Sequence, residues 1–108
     1  MEATLFFPLL SAAVALLGIP LWTAMVRPNR FYGVLTVATL RDEALWYAVN
    51  RATGRDLVVA GGAALFLSAF LPEFGISGAA YIAVMAVVLA AGGALVAVVA
   101  LARVQRVR

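Results

Sequence analysis

Cysteine and histidine are both missing from this chain. Without cysteine there is no disulfide and no thiolate metal site. Without histidine, the commonest metal ligand and the usual near-neutral acid–base group are gone as well. Lysine is also absent, so all eight basic residues are arginine. Charge is scarce: 12% of the 108 residues are charged, against about a quarter in a soluble domain. Ser-His and Cys-His pairs cannot be built, and no carboxylate cluster has metal-ligand spacing. Asp42 and Glu43 are neighbours, and on a helix neighbouring side chains diverge by about 100°, a poor acid–base pair. These absences predict no catalytic residue, no metal and no cofactor, hence no enzyme. The arginines are too sparse for a nucleic-acid partner.

What is present is apolar. Hydrophobic residues make up 66% of the chain and the mean hydropathy is +1.07. The expectation is an all-α integral membrane protein, a single domain over 1–108 with the lipid bilayer as its main partner. Residues 3–26 carry no charge, and at about 1.5 Å per residue they exceed the roughly 30 Å hydrocarbon core. Pro8 and Pro20 lie inside this run, where one starts a helix and the other kinks it. A secretory signal peptide is disfavoured, because Met1-Glu2 is acidic where a basic segment is expected. Residues 57–71 form a shorter run closed by Pro72; with Asp56 as N-cap it gives about 24 Å of helix, thin for a bilayer. Residues 76–102 form a third uncharged run, about 40 Å long and so expected to tilt. Pro72, Glu73, Phe74 and Gly75 make a tight turn between the last two, a transmembrane hairpin.

The arginines orient the spans. Arg27, Arg30, Arg41, Arg51 and Arg55 fall in the loop 27–55, and Arg103, Arg106 and Arg108 follow the third span. Three crossings put both groups on one side, opposite Glu2 and Glu73. The positive-inside rule makes that side cytoplasmic, which places the N-terminus outside and the C-terminus inside a bacterial cytoplasmic membrane. Aromatics follow the same division. Trp22, Phe31, Tyr32, Trp46 and Tyr47 belong to the inner end, and Phe6, Phe7, Phe70, Phe74 and Tyr81 to the outer one. Small residues recur at helical spacing: Ala60, Ala64 and Ser68, then Ala79, Ala83, Ala86 and Ala90. Such rows favour close helix contact and make a homo-oligomer a candidate assembly.

One polar stretch interrupts the apolar pattern, RDEALWYAVNR at 41–51. Thr39 followed by Asp42 resembles a capping box, with Thr36 able to serve a shorter turn. Asp42 and Glu43 suit the positive end of a helix dipole and Gly54 suits a helix stop. A short amphipathic helix over 40–53, lying at the cytoplasmic interface, is therefore expected. Leu45, Ala48, Val49 and Ala52 would face the lipid boundary, with Arg41 snorkelling outward. On the other side, Asp42, Trp46 and Asn50 form one stripe and Glu43, Tyr47 and Arg51 a second. Trp46 either packs back onto 29–38 or contributes to a binding surface.

The stretch 28–62, PNRFYGVLTVATLRDEALWYAVNRATGRDLVVAGG, resembles the signature of the SdpI family of small bacterial membrane proteins. The matching positions are Asn29, Gly33, Thr36, Thr39, Trp46, Asn50 and Gly54. The sequence departs from the family pattern at Leu35, where arginine is frequent, and at Val37 and Ala38. The resemblance implies a three-helix membrane domain. It also implies immunity to a toxic peptide, or signalling through a membrane or regulatory protein partner. Candidate binding residues are Asn29, Gly33, Thr36, Thr39, Asp42, Glu43, Trp46, Tyr47, Asn50 and Arg51. The alternative is a homo-oligomeric or accessory transporter or channel component. Coupled carriers need an ionisable group at membrane depth, and residues 3–26, 57–71 and 76–102 contain none.

Overall fold

Three apolar runs become three long helices in the computed structural model, which describes residues 2–107. Helix α1 is Ala3–Trp22, α2 is the short Val37–Arg41, α3 is Glu43–Phe70 and α4 is Gly78–Val107. Each long helix has the length and apolarity to cross a membrane, and the described residues contain no strand. Met1 and Arg108, used above for the acidic start and the arginine asymmetry, lie outside the described residues.

Helix α1 stops four residues short of the uncharged run. Its end is closed by main-chain bonds: the Met25 amide donates to Pro20 O at 2.9 Å and the Ala24 amide to Leu21 O at 3.2 Å. Ala24 sits in the left-handed region at φ 59°. This is the Schellman arrangement, built here on alanine instead of the usual glycine. At the far end of the hairpin, Leu71–Phe74 form a 3₁₀ turn and Gly75 reverses the chain at φ 83°, as the proline, acid and glycine of that turn predict.

The largest correction concerns residues 40–57. No separate helix over 40–53 exists, and Gly54 is not a stop. Residues 43–70 form one helix of 28 residues, about 42 Å long, and the break falls at Asp42, whose backbone is extended at φ −132°, ψ 107°. Caps explain the break. Thr36, not Thr39, caps α2 in a full capping box with Thr39, and Asp42 Oδ1 accepts the Leu45 amide to start α3. Asp56 therefore lies in mid-helix and caps nothing.

Gly54 is needed for packing. A Cβ there would run into Gly18 O and Trp22 N of α1, and one on Gly18 would lie 2.8 Å from Leu57 Cβ. Two turns on, a Cβ at Gly61 would lie 2.8 Å from Ala15 Cα and from Ser11 O. The two backbones thus touch along Ser11, Ala15 and Gly18 on α1 and Gly54 and Gly61 on α3. This is small-residue packing of the kind that substitutes for hydrophobic collapse inside lipid. It offsets the helix cost of each glycine, about 1 kcal/mol.

Helix α4 packs more loosely. Its buried residues recur at Tyr81, Met85, Ala100 and Val104. At one end Tyr81 Oη donates to Ser68 O at 2.9 Å, and its ring meets Phe7 edge-on at 5.8 Å. At the other, Val104 packs on Leu45 and Val49. Of the small-residue rows, Ala64 and Ser68 are buried whereas Ala79, Ala83, Ala86 and Ala90 are exposed.

The adjacent glycines of α3 provide a test. Gly61→Ala forces the helices apart and is expected to destabilise by about 1–3 kcal/mol. Gly62→Ala, with nothing within 4 Å of its Cβ, gains helix propensity and is expected to be neutral or stabilising by up to about 1 kcal/mol. Thermal melting in a mild detergent separates the two.

Candidate functional site at the arginine-rich end

Residues 23–36 connect α1 to α2 and fold over the first turns of α3. Asn29 builds the turn from within. Its Oδ1 accepts the Phe31 and Tyr32 amides, each at 2.8 Å, and its Nδ2 donates to Arg27 O at 2.7 Å. Gly33 then adopts φ 124°. Any Cβ here would be 2.8 Å from Asn50 Oδ1 and 3.0 Å from the Trp46 ring, so both conformation and space require glycine.

Three side chains pin this connector to the helices. Trp46 Nε1 donates to Val26 O at 3.0 Å. Asn50 Oδ1 accepts the Val34 amide at 2.6 Å, while its Nδ2 donates to Trp46 O at 3.0 Å. Thr39 Oγ1 donates to Val34 O at 2.8 Å and accepts the Thr36 amide at 2.9 Å. Trp46 is fully buried, Thr39 likewise, and Asn50 is 2% exposed. Tyr32 adds a fourth tie, its hydroxyl donating to Leu17 O of α1. Desolvation raises the Tyr32 pKa above its ordinary value.

The sequence-predicted residues therefore divide. Asn29, Gly33, Thr36, Thr39, Trp46 and Asn50 join in one hydrogen-bonded clasp within the chain. Of the two options for Trp46, packing back onto 29–38 is the one adopted. Asp42 caps α3, whereas Glu43 and Arg51 are exposed and Tyr47 is half-buried. The two stripes thus diverge in part: Trp46 and Asn50 turn inward, while Asp42, Glu43 and Arg51 stay exposed. Leu45 and Val49, expected against lipid, are instead buried against Val34, Ala38 and Val104, because α4 and the connector cover that side. Ala48 stays exposed.

Two features escaped sequence reading. Asp56 Oδ2 pairs with Arg103 Nη1 at 2.6 Å, tying α3 to α4, with Thr53 Oγ1 at 3.5 Å from the same guanidinium nitrogen. The partners are 47 positions apart, and reading Asp56 as a cap concealed its need for one. An apolar pocket of about 460 Å³ adjoins the clasp, with Tyr32, Gly33, Thr53, Leu17, Leu57 and Ala97 in its lining. A smaller cavity of about 220 Å³ shares Leu57, Gly93 and Val96 with it.

A protein-family model described as the SdpI/YfhL protein family matches residues 25–101, more than half of the chain and the whole of the clasp. No curated protein and no solved structure matches.

Trp46→Ala removes a fully buried ring and is expected to cost about 3–5 kcal/mol. Asn50→Ala strands the Val34 amide and is expected to cost about 1–3 kcal/mol. Arg41→Ala, at an exposed position, should stay within about 0.5 kcal/mol of wild type. Melting of the three variants in one detergent ranks them. For the ion pair, Asp56→Asn and Arg103→Gln should each destabilise. The double variant should be less damaged than the sum, by about 0.5–3 kcal/mol in a double-mutant cycle.

Proposed function

Because the chain belongs to the SdpI/YfhL protein family, we propose that it is a non-enzymatic membrane protein acting through protein–protein contact, most simply as an immunity factor against a toxic peptide. A signalling role through a membrane or regulatory partner uses the same chemistry. The observation that carries the reading is the uncovered side of α4. Val84, Val87, Leu95 and Val98 are exposed there, while α1 and α3 bury their small residues against each other. A partner helix or an inserted peptide docking on α4 would leave the α1–α3 core untouched.

The arginine asymmetry supports an orientation with the clasp cytoplasmic, the hairpin turn external and the N-terminus outside. Exposed Met25, Phe31, Leu35, Val37 and Leu40 support an interfacial position for the connector and α2, with Phe31 inserted among the headgroups. The interfacial element of this reading is thus α2 and its approach, not residues 40–53. Proton- or ion-coupled transport has less support, since Asp56, the acid in mid-helix, is neutralised by Arg103.

A toxin-sensitive bacterium expressing the protein tests the proposal. Challenge with candidate peptide toxins should leave more survivors than the empty vector does. Val87→Trp and Val98→Trp on the α4 face should lower survival at unchanged expression and melting temperature. Equal killing with and without the protein overturns the immunity reading.

A further inference from the structure

Outside the clasp, a recess of about 300 Å³ opens where α1 ends against α3, bounded by Trp22, Ala48, Arg51, Ala52 and Arg55. We propose that this recess is a binding site for the headgroup of an anionic phospholipid, with Arg51 and Arg55 holding its phosphate and Trp22 walling it. It is independent of the immunity reading.

The two arginines are one turn apart on α3, so their side chains emerge about 5–6 Å from each other. Guanidinium forks at that spacing can bracket one phosphate oxyanion with several charge-assisted hydrogen bonds. Neither fork is committed elsewhere at close range. Arg51 is exposed, and Arg55 reaches only Asp56 Oδ1 at 3.5 Å, while the other oxygen of Asp56 is held by Arg103 at 2.6 Å. No acid lines the recess. Glu43 lies eight residues before Arg51, about 12 Å along the axis. Ala48 and Ala52 form a floor too small to obstruct a headgroup.

Depth and surroundings point to lipid as the source of the phosphate. Gly54 abuts Trp22, so Arg55 is level with the last turn of α1, where its apolar run gives way to Arg27. That is headgroup depth, and the exposed indole of Trp22 belongs there too. From Arg55 the same stripe of α3 continues into the membrane through Val59, Gly62, Ala63 and Phe66, all exposed. This strip would carry an acyl chain, with the open surface at Gly62 giving it room. A basic pocket between transmembrane helices continuing into an apolar strip is the arrangement that anionic headgroups select.

The test uses full-length protein purified in neutral detergent, with bound lipid read by native mass spectrometry after addition of phosphatidylglycerol or phosphatidylcholine. Wild type should retain phosphatidylglycerol preferentially, and Arg51→Gln/Arg55→Gln should lower that retention roughly tenfold or more. The charge-matched Arg30→Gln/Arg106→Gln should retain it like wild type. Ala48→Leu, which fills the floor and keeps both charges, should also lose it, so the proposal stays testable if the double glutamine variant folds poorly. Equal loss in the charge-matched variant would show diffuse attraction and overturn the site. So would undiminished retention in both recess variants, or displacement of the lipid by millimolar inorganic phosphate, which would mark a site for free oxyanions.

Discussion

A peptide segment packed across a helix and shielded from water must find partners for its amides and carbonyls, because buried unsatisfied backbone costs several kcal/mol per group. In this protein the segment is 23–36, and Trp46, Asn50 and Thr39 supply the partners. Val34 illustrates the arrangement, its amide held by Asn50 and its carbonyl by Thr39. Asn50 closes the circuit by returning its own amide to Trp46 O. Gly33, Asn29 and the Thr36 cap are consequences of bringing backbone close enough for these bonds. The polar stretch in a greasy chain is therefore largely an internal fastening, and the clasp falls wholly within the stretch matched by the family model.

Two kinds of helix contact coexist in the bundle. Helices α1 and α3 meet backbone to backbone, with Ser11 buried at the crossing and its hydroxyl without a hydrogen-bond partner. Contacts of that type depend on the absence of side-chain atoms, so they tolerate little substitution. Helix α4 is held near its two ends, by Tyr81 and Met85 against Phe7 and Ala64, and by Arg103 and Val104 against Asp56 and Leu45. Between those ends, Gly92 and Gly93 line cavities instead of contacts. The bundle is a tight pair with a third helix strapped to it.

Much of this was readable in the sequence. Three uncharged runs and the Pro72–Gly75 turn identify the three long helices and the hairpin. The stripe holding Trp46 and Asn50 marked the residues that form the clasp. What the sequence did not disclose depends on residues distant along the chain. Gly54 satisfies the description of a helix stop and of a helix crossing equally well; only the position of Gly18 opposite decides between them. Leu45 and Val49 face α4 instead of lipid because Val104, more than 50 residues later, reaches them. An aspartate before an apolar run reads as a cap; only the start of α3 at Glu43 makes Asp56 a mid-helix carboxylate in need of a cation.

The continuity of α3 has a mechanical consequence. Its 28 residues contain no proline, so the helix is a rod joining the Pro72–Gly75 turn to the clasp. A tilt of about 10° of such a rod, roughly 42 Å long, would displace one end relative to the other by about 7 Å. A displacement at the hairpin would therefore be felt at Trp46 and Asn50, and the Val26–Val34 segment bonded to them would move with the helix.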